Sequence, residues 1–346
     1  DSEETVWLEL FNDLLYVAIL LMLSHTMKDV TDEDVGLGVP QFSGNTIGLH
    51  IVMFCLHAVF FFFWLDLSMF YNLFSARGGV ENLGSLCLFL CEMTGTFLML
   101  LSLGSELSAT SRYLVRWEYT LTGMCLSRSS NLLQWVLASS TAQARASFLA
   151  PHLKIIQRVK TACVAASVVL LLTLLIRNVS RSGRTPLLPA YGECLIALSM
   201  LGIALFEASP RLLYILDRKK EQWDERGGES SKMKARMGEY LMLLLGEPLI
   251  QLGTSKNSVQ CHLDWYTSAK VMAVPVFFSI AILYFDTQPH HVHDHVLNRS
   301  RKASTLWILL HVGVGYALIL CGAAIHSGFS DTAALRAGAG TCLDAS

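Results

Sequence analysis

An all-α, polytopic transmembrane helical bundle of about nine spans (eight to ten), with short loops, is the fold this sequence predicts, and three observations carry the prediction. Hydrophobic residues make up 53% of the chain and charged residues only 16%, against about 25% charged in soluble globular domains. The apolar residues fall into runs of roughly 20, the length that crosses a hydrocarbon core as a helix. Polar turn sequences separate the runs, as at Arg77-Gly78-Gly79, Ser182-Gly183-Arg184-Thr185-Pro186 and Arg226-Gly227-Gly228. Nothing reads as a separate soluble domain, so residues 1–346 form a single integral-membrane helical domain.

In chain order the expected helices are Val6 to Met27, Thr46 to Phe74, Glu81 to Gly104, Tyr113 to about Leu126, Lys160 to Ile176, Leu187 to Phe206, Met233 to Gly253, Tyr266 to Asp286 and Ser304 to His326. The fourth has the weakest signal, because it contains Arg116 and Glu118. Residues 127–159 after it are amphipathic and read either as a surface segment or as the rest of a broken helix. The bilayer is therefore the first partner, and a net charge of −2 without a basic patch argues against nucleic acid. Cys55, Cys87, Cys91, Cys163 and Cys194 lie within apolar runs, where a thiol behaves as a small hydrophobe, and no disulfide framework is expected.

Lys and Arg concentrate in the connections 75–80, 127–159, 207–232 and 287–303. By the positive-inside rule those connections, and with them the N-terminus, are cytoplasmic. Which cellular membrane is occupied is not encoded in this pattern, and neither is the oligomeric state.

Charged residues inside such runs stand out, because each costs about 2.5 to 3.5 kcal/mol near the middle of a membrane helix. Glu9 and Asp13 share one helical face in the first run. Asp66, two turns before the end of the second, lies at a similar depth, so convergence of the three acids is expected. Arg236 and Glu239 open the seventh helix and Asp286 closes the eighth on the same side, with His311 at that level in the ninth. Glu247 lies deeper, in Leu245-Gly246-Glu247-Pro248, where the proline is expected to weaken the helix and free backbone carbonyls.

These residues carry a resemblance. Glu9-Leu10-Phe11-Asn12-Asp13-Leu14-Leu15-Tyr16-Val17 resembles the E-L-F-F-D-L-x-F-V signature of the low-temperature-requirement A (LtrA) family of polytopic membrane proteins. Trp64-Leu65-Asp66, Ser111-Arg112 followed by Tyr119, Tyr284-Phe285-Asp286 and His311-Val312-Gly313 follow in the family's order, across about residues 5 to 320. The segment from Arg236 to Glu247 resembles E-R-x-G-L-x-x-I-x-x-L-G-E, with Ala235 in place of the first glutamate and Glu239 in place of the leucine. A local ion pair on Arg236 survives that exchange. The resemblance implies the fold class and the candidate positions, and no particular reaction.

His290, His291, His293 and His295, with Asp294 among them, make a weak metal candidate; a histidine-rich loop without a structured partner is more often a solvated, pH-responsive segment. No cofactor is expected. Leu263 to Val271 is similar to the retinal-binding lysine helix of microbial rhodopsins, but the position four before Lys270 is Tyr266, and Asp264 is six away. There is no phosphate-binding glycine loop, no H-E-x-x-H helix and no G-x-S-x-G elbow, so catalytic residues are not assigned.

The function expected from these charges is movement of an ion, proton or small solute, with Glu9, Asp13, Asp66, Glu247, Arg236, Glu239, Asp286 and His311 as pathway candidates. The alternative is a structural or accessory subunit whose charges only lock helices together. A membrane-embedded enzyme ranks third.

Overall fold

The computed structural model describes residues 6–36, 44–74, 83–103, 116–140, 150–180, 190–216, 227–254, 265–286 and 301–343. Every described segment is helical: α1 Val6–Gly36, α2 Gly44–Phe74, α3 Leu83–Leu103, α4 Trp117–Ser140, α5 Ala150–Ser180, α6 Ala190–Leu216, α7 Gly227–Thr254, α8 Trp265–Asp286 and α9 Arg301–Leu343. Five are long and apolar enough to cross a membrane, through 50–70, 86–103, 153–177, 192–210 and 303–324. Shorter apolar stretches occupy 13–27 and 271–286. The nine helices among the described residues each overlap one of the nine expected, so the chain is a helical membrane bundle.

The centre of the bundle is α2, whose apolar stretch is 89% buried and which packs on α1, α4, α6, α7 and α9. Its aromatic run explains the position: Phe60, Phe61, Phe62, Phe63 and Trp64 point around the whole helix and all are buried. A helix that is apolar on every face belongs inside a bundle or in lipid. By contrast α8 packs chiefly on α7 and leaves Val271, Met272, Val276, Phe278 and Leu283 exposed, as suits a lipid-facing helix. Hydroxyls on exposed positions close on their own helix: Thr94, Thr173, Ser199 and Ser279 each donate to the carbonyl four residues earlier at 2.7–2.8 Å. That internal bond lets a polar side chain face a solvent with no hydrogen bonds to offer.

The fourth helix departs most from expectation. It does not end near Leu126 but runs to Ser140, taking in 127–140, while 150–159 opens α5. Thr120, Ser127, Arg128, Ser130, Asn131 and Gln134 are all buried. Leu133, Val136 and Leu137 are exposed. The span signal is weak because α4 carries many polar residues, and these face its neighbours inside the bundle while Leu133, Val136 and Leu137 are left on its outer side.

Two glycines hold α3 and α4 together. A Cβ on Gly95 would lie 2.6 Å from the carbonyl oxygen of Gly123 and the amide nitrogen of Ser127, and a Cβ on Gly123 would overlap the Gly95 carbonyl. This is the backbone-to-backbone approach that small residues permit in membrane helices. Ser102 and Thr120 tie the same pair at one end through a 2.6 Å hydroxyl bond, beside a bond from the Arg116 amide to the Ser102 carbonyl at 3.2 Å.

A third glycine, Gly315 on α9, faces the Tyr240 hydroxyl of α7 and Nε2 of His57 on α2, and a Cβ there would crowd both. Tyr240 and His57 are hydrogen-bonded at 3.2 Å. Gly315→Ala is expected to lower the thermal midpoint in detergent by forcing this bond apart, at a cost of about 1–3 kcal/mol; an unchanged midpoint would show that α9 can shift freely.

Candidate functional site

A buried charge cluster lies where α2, α3, α4, α5 and α6 meet. Each helix contributes one ionisable side chain: Asp66, Glu92, Arg128, Lys160 and Glu207, all at most 4% exposed. Lys160 Nζ donates to Asp66 Oδ2 at 2.9 Å, to Glu207 Oε1 at 2.7 Å and to the Asn131 side-chain oxygen, which uses the three donors of an ammonium. Arg128 reaches the same two acceptors through NH1, Asp66 Oδ2 at 3.2 Å and Glu207 Oε1 at 3.3 Å. Its NH2 donates to Glu92 Oε1 at 3.3 Å and to Ser127 Oγ at 3.0 Å.

Asp66 and Glu207 thus each bridge both cations. Glu92 is held more loosely: among the described residues it accepts, besides Arg128, only from Asn131 Nδ2, at 3.2 Å on Oε1 and 3.5 Å on Oε2. The Phe63 ring lies 3.7 Å under the Arg128 guanidinium and the Trp135 ring 5.7 Å from the Lys160 ammonium, so aromatic faces complete the enclosure. Among the described residues the cluster has three carboxylates and two cations.

A second, shallower site joins α1, α2 and α7. Asp13 Oδ1 accepts from the Trp64 indole at 2.8 Å, and Oδ2 accepts from Arg236 NH1 at 3.0 Å. Arg236 also donates to Glu239 at 2.6 Å, one turn along α7, and to Ser68 Oγ at 3.4 Å. Glu239 is half exposed and Asp13 mostly buried, so the two carboxylates contribute unequally. Asp13→Ala is expected to lower stability by about 1–3 kcal/mol, since it orphans a buried indole N–H and half of an arginine's bonding. Glu239→Gln should cost well under 1 kcal/mol. Equal melting shifts for the two variants would contradict this order.

Between the two sites is a cavity with about 20 Å³ open to water-sized molecules, walled by α1, α2, α3 and α4. Tyr16, Trp64, Glu92, Thr96 and Arg128 are among the residues that line it. Trp64 therefore touches both the Asp13 site and the approach to the deep cluster.

The structure divides the acids that depth alone had placed together. Asp13 bonds Trp64 and Arg236, whereas Asp66 bonds Arg128 and Lys160, because residues 64 and 68 of α2 face α1 and α7 and residue 66 is about 200° away around the helix. The side chain of Glu9 lies outside the described residues, as does that of Glu247, although both positions are helical. α7 is helical through Pro248 to Thr254; the proline's missing amide takes one bond from the helix without ending it. Arg236 and Glu239 do pair. Asp286 is at the exposed end of α8, and its level is linked to α9 instead by Tyr284, whose hydroxyl is 2.9 Å from His311 Nε2. His311 Nδ1 donates to the Trp307 carbonyl at 2.7 Å, so the ring bridges a neighbouring helix and its own turn. His290, His291, His293 and His295 fall outside the described residues.

Glu92, Arg128, Lys160 and Glu207 were not singled out by sequence. Glu92 lies beside Cys87 and Cys91 in an apolar run, Arg128 falls in the amphipathic segment, Lys160 opens the expected fifth span and Glu207 directly follows the sixth. One signal was legible: Gly123-x-x-x-Ser127 is a small-residue pair four apart with a charge directly after it, and Glu92 precedes Gly95 on the facing helix.

Helices of this length and apolarity, enclosing an ionic cluster shared by five of them, define a polytopic integral membrane protein with a buried polar site. The family model for the bacterial low temperature requirement A protein (LtrA) matches residues 4–343, and the chain belongs to that family. Neither a curated protein nor a solved structure matches it.

Proposed function

We propose that this protein moves an ion, proton or small solute across the membrane, with its N-terminus on the cytoplasmic side and the buried carboxylates as the binding groups. The observation that carries this reading is the cluster of Asp66, Glu92 and Glu207 around Arg128 and Lys160. A buried ion pair is seldom more stabilising than apolar packing of the same volume, so five ionisable groups at the meeting of five helices are poorly explained by stability alone. Ionisable groups inside membrane bundles typically mark pathways and relays. Asp13, Arg236 and Glu239 form the outer station in this reading, and Glu247, about 12 Å further along α7 than Glu239 at 1.5 Å per residue, is a deeper carboxylate on the same helix.

The test is a flux panel in proteoliposomes covering protons, monovalent cations and small anions. Wild type is expected to carry at least one of them, and Asp66→Asn at least tenfold less of it. Wild-type vesicles indistinguishable from empty ones for every species would overturn the reading.

One observation favours the second reading, a structural or accessory subunit. All three donors of Lys160 are occupied within the cluster, as in a lock. A lock differs in its response to Asp66→Asn, which would then lower the melting temperature without a flux to lose.

A further inference from the structure

We infer that Glu92 is the proton-exchanging group of the buried cluster and that the cavity between α1, α2, α3 and α4 is the water site that serves it. This deepens the proposed function, on which it rests, by naming the proton as the species handled at this site.

Three observations place the exchange at Glu92. It is the cluster carboxylate with no contact to Lys160 among its hydrogen bonds, and its bonds are 3.2–3.5 Å long, whereas Asp66 and Glu207 take the ammonium at 2.9 and 2.7 Å. A carboxylate held by long bonds loses least on becoming neutral. It also lines the cavity, together with Arg128. The room there, about 20 Å³, suits one water and excludes a larger solute. Finally, Arg128 is almost completely buried, yet its Nε has no hydrogen-bond partner among the described residues. Buried donors are satisfied in folded proteins, by water where protein does not reach, and a water in this cavity would lie beside Arg128 and Glu92 at once.

The step is simple. A hydronium ion in the cavity passes its proton to Glu92 Oε2, which among the described residues has only the 3.5 Å contact from Asn131, leaving a water and a neutral carboxylic acid; release reverses it. The charged groups of the cluster set the balance, Arg128 on α4, Asp66 on α2, Lys160 on α5 and Glu207 on α6, and Tyr16 of α1 is among the residues lining the same cavity. With Glu92 neutral, two carboxylates remain against two cations among the described residues. A space of about 20 Å³ is far below what an organic solute fills, and a proton needs no more room than the water that carries it.

The experiment reads protonation and flux separately, on reconstituted full-length protein. Infrared difference spectra between acid and alkaline pH are expected to show a protonated-carboxyl band in wild type that is lost in Glu92→Gln and shifted in Glu92→Asp, with melting temperatures confirming that both variants fold. A band that persists in Glu92→Gln, or no such band in wild type, overturns the assignment. A pH-sensitive dye inside the vesicles then reports proton entry, which is expected to disappear in Glu92→Gln. Movement of a cation or solute without protons in wild type would overturn the choice of species. If the band behaves as expected and nothing is moved at all, Glu92 stands as the exchange site and the transport reading falls.

Discussion

Lys160→Met is expected to leave little folded protein in detergent at a temperature where wild type is intact. Methionine fills much of the lysine's volume, so the loss is electrostatic. Asp66 Oδ2 and Glu207 Oε1 each lose their shortest cationic partner, and Arg128, at 3.2 and 3.3 Å, remains as the one cation among the described members. Breaking a buried pair in this way costs about 3–5 kcal/mol, because it strands charge in a low-dielectric interior. The double variant Lys160→Met with Glu207→Gln removes one positive and one negative charge together. It should recover most of the lost stability. Thermal unfolding of both checks this; a double variant no more stable than the single one would show that Lys160 matters for its packing against Trp135 and not for its charge.

Gly123→Val is the second large effect. The side chain would have to occupy the space of the Gly95 carbonyl and of Met99, and backbone cannot rotate aside as a side chain can. Helices α3 and α4 must separate, at roughly 3 kcal/mol, the upper part of the range for overpacked sites. The separation also stretches the contacts from Arg128 and Asn131 to Glu92, which stands one turn from Gly95. Gly202→Val offers a control, because a Cβ there meets nothing within 4 Å. Similar melting temperatures for Gly123→Val and Gly202→Val would refute the close crossing.

Helix number and position were readable in the sequence because run length alone encodes them. Azimuth was not. Trp64, Asp66 and Ser68 lie about one turn apart on α2, yet Trp64 bonds Asp13 and Ser68 bonds Arg236, while Asp66 between them bonds Lys160. Knowing which neighbour each face meets requires the packing. The polar face of α4 was misjudged for the same reason: Ser127, Arg128, Ser130 and Asn131 look like the end of a span when the bilayer is taken as the only surroundings, and like the core of a site once α3 and α5 are in place. The Arg236 to Glu239 pair was legible because both partners lie on one helix, three residues apart.

The account turns on whether the five-helix cluster is a transport site, and the double variant Lys160→Met with Glu207→Gln addresses this directly because it should fold. Flux into proteoliposomes, measured for wild type and double variant at equal reconstituted amounts, is the deciding measurement. The expected result is movement of a proton, ion or small solute by wild type and its loss by at least tenfold in a double variant that still melts cooperatively. Equal flux from the two proteins would contradict the account, and so would a wild type that moves nothing.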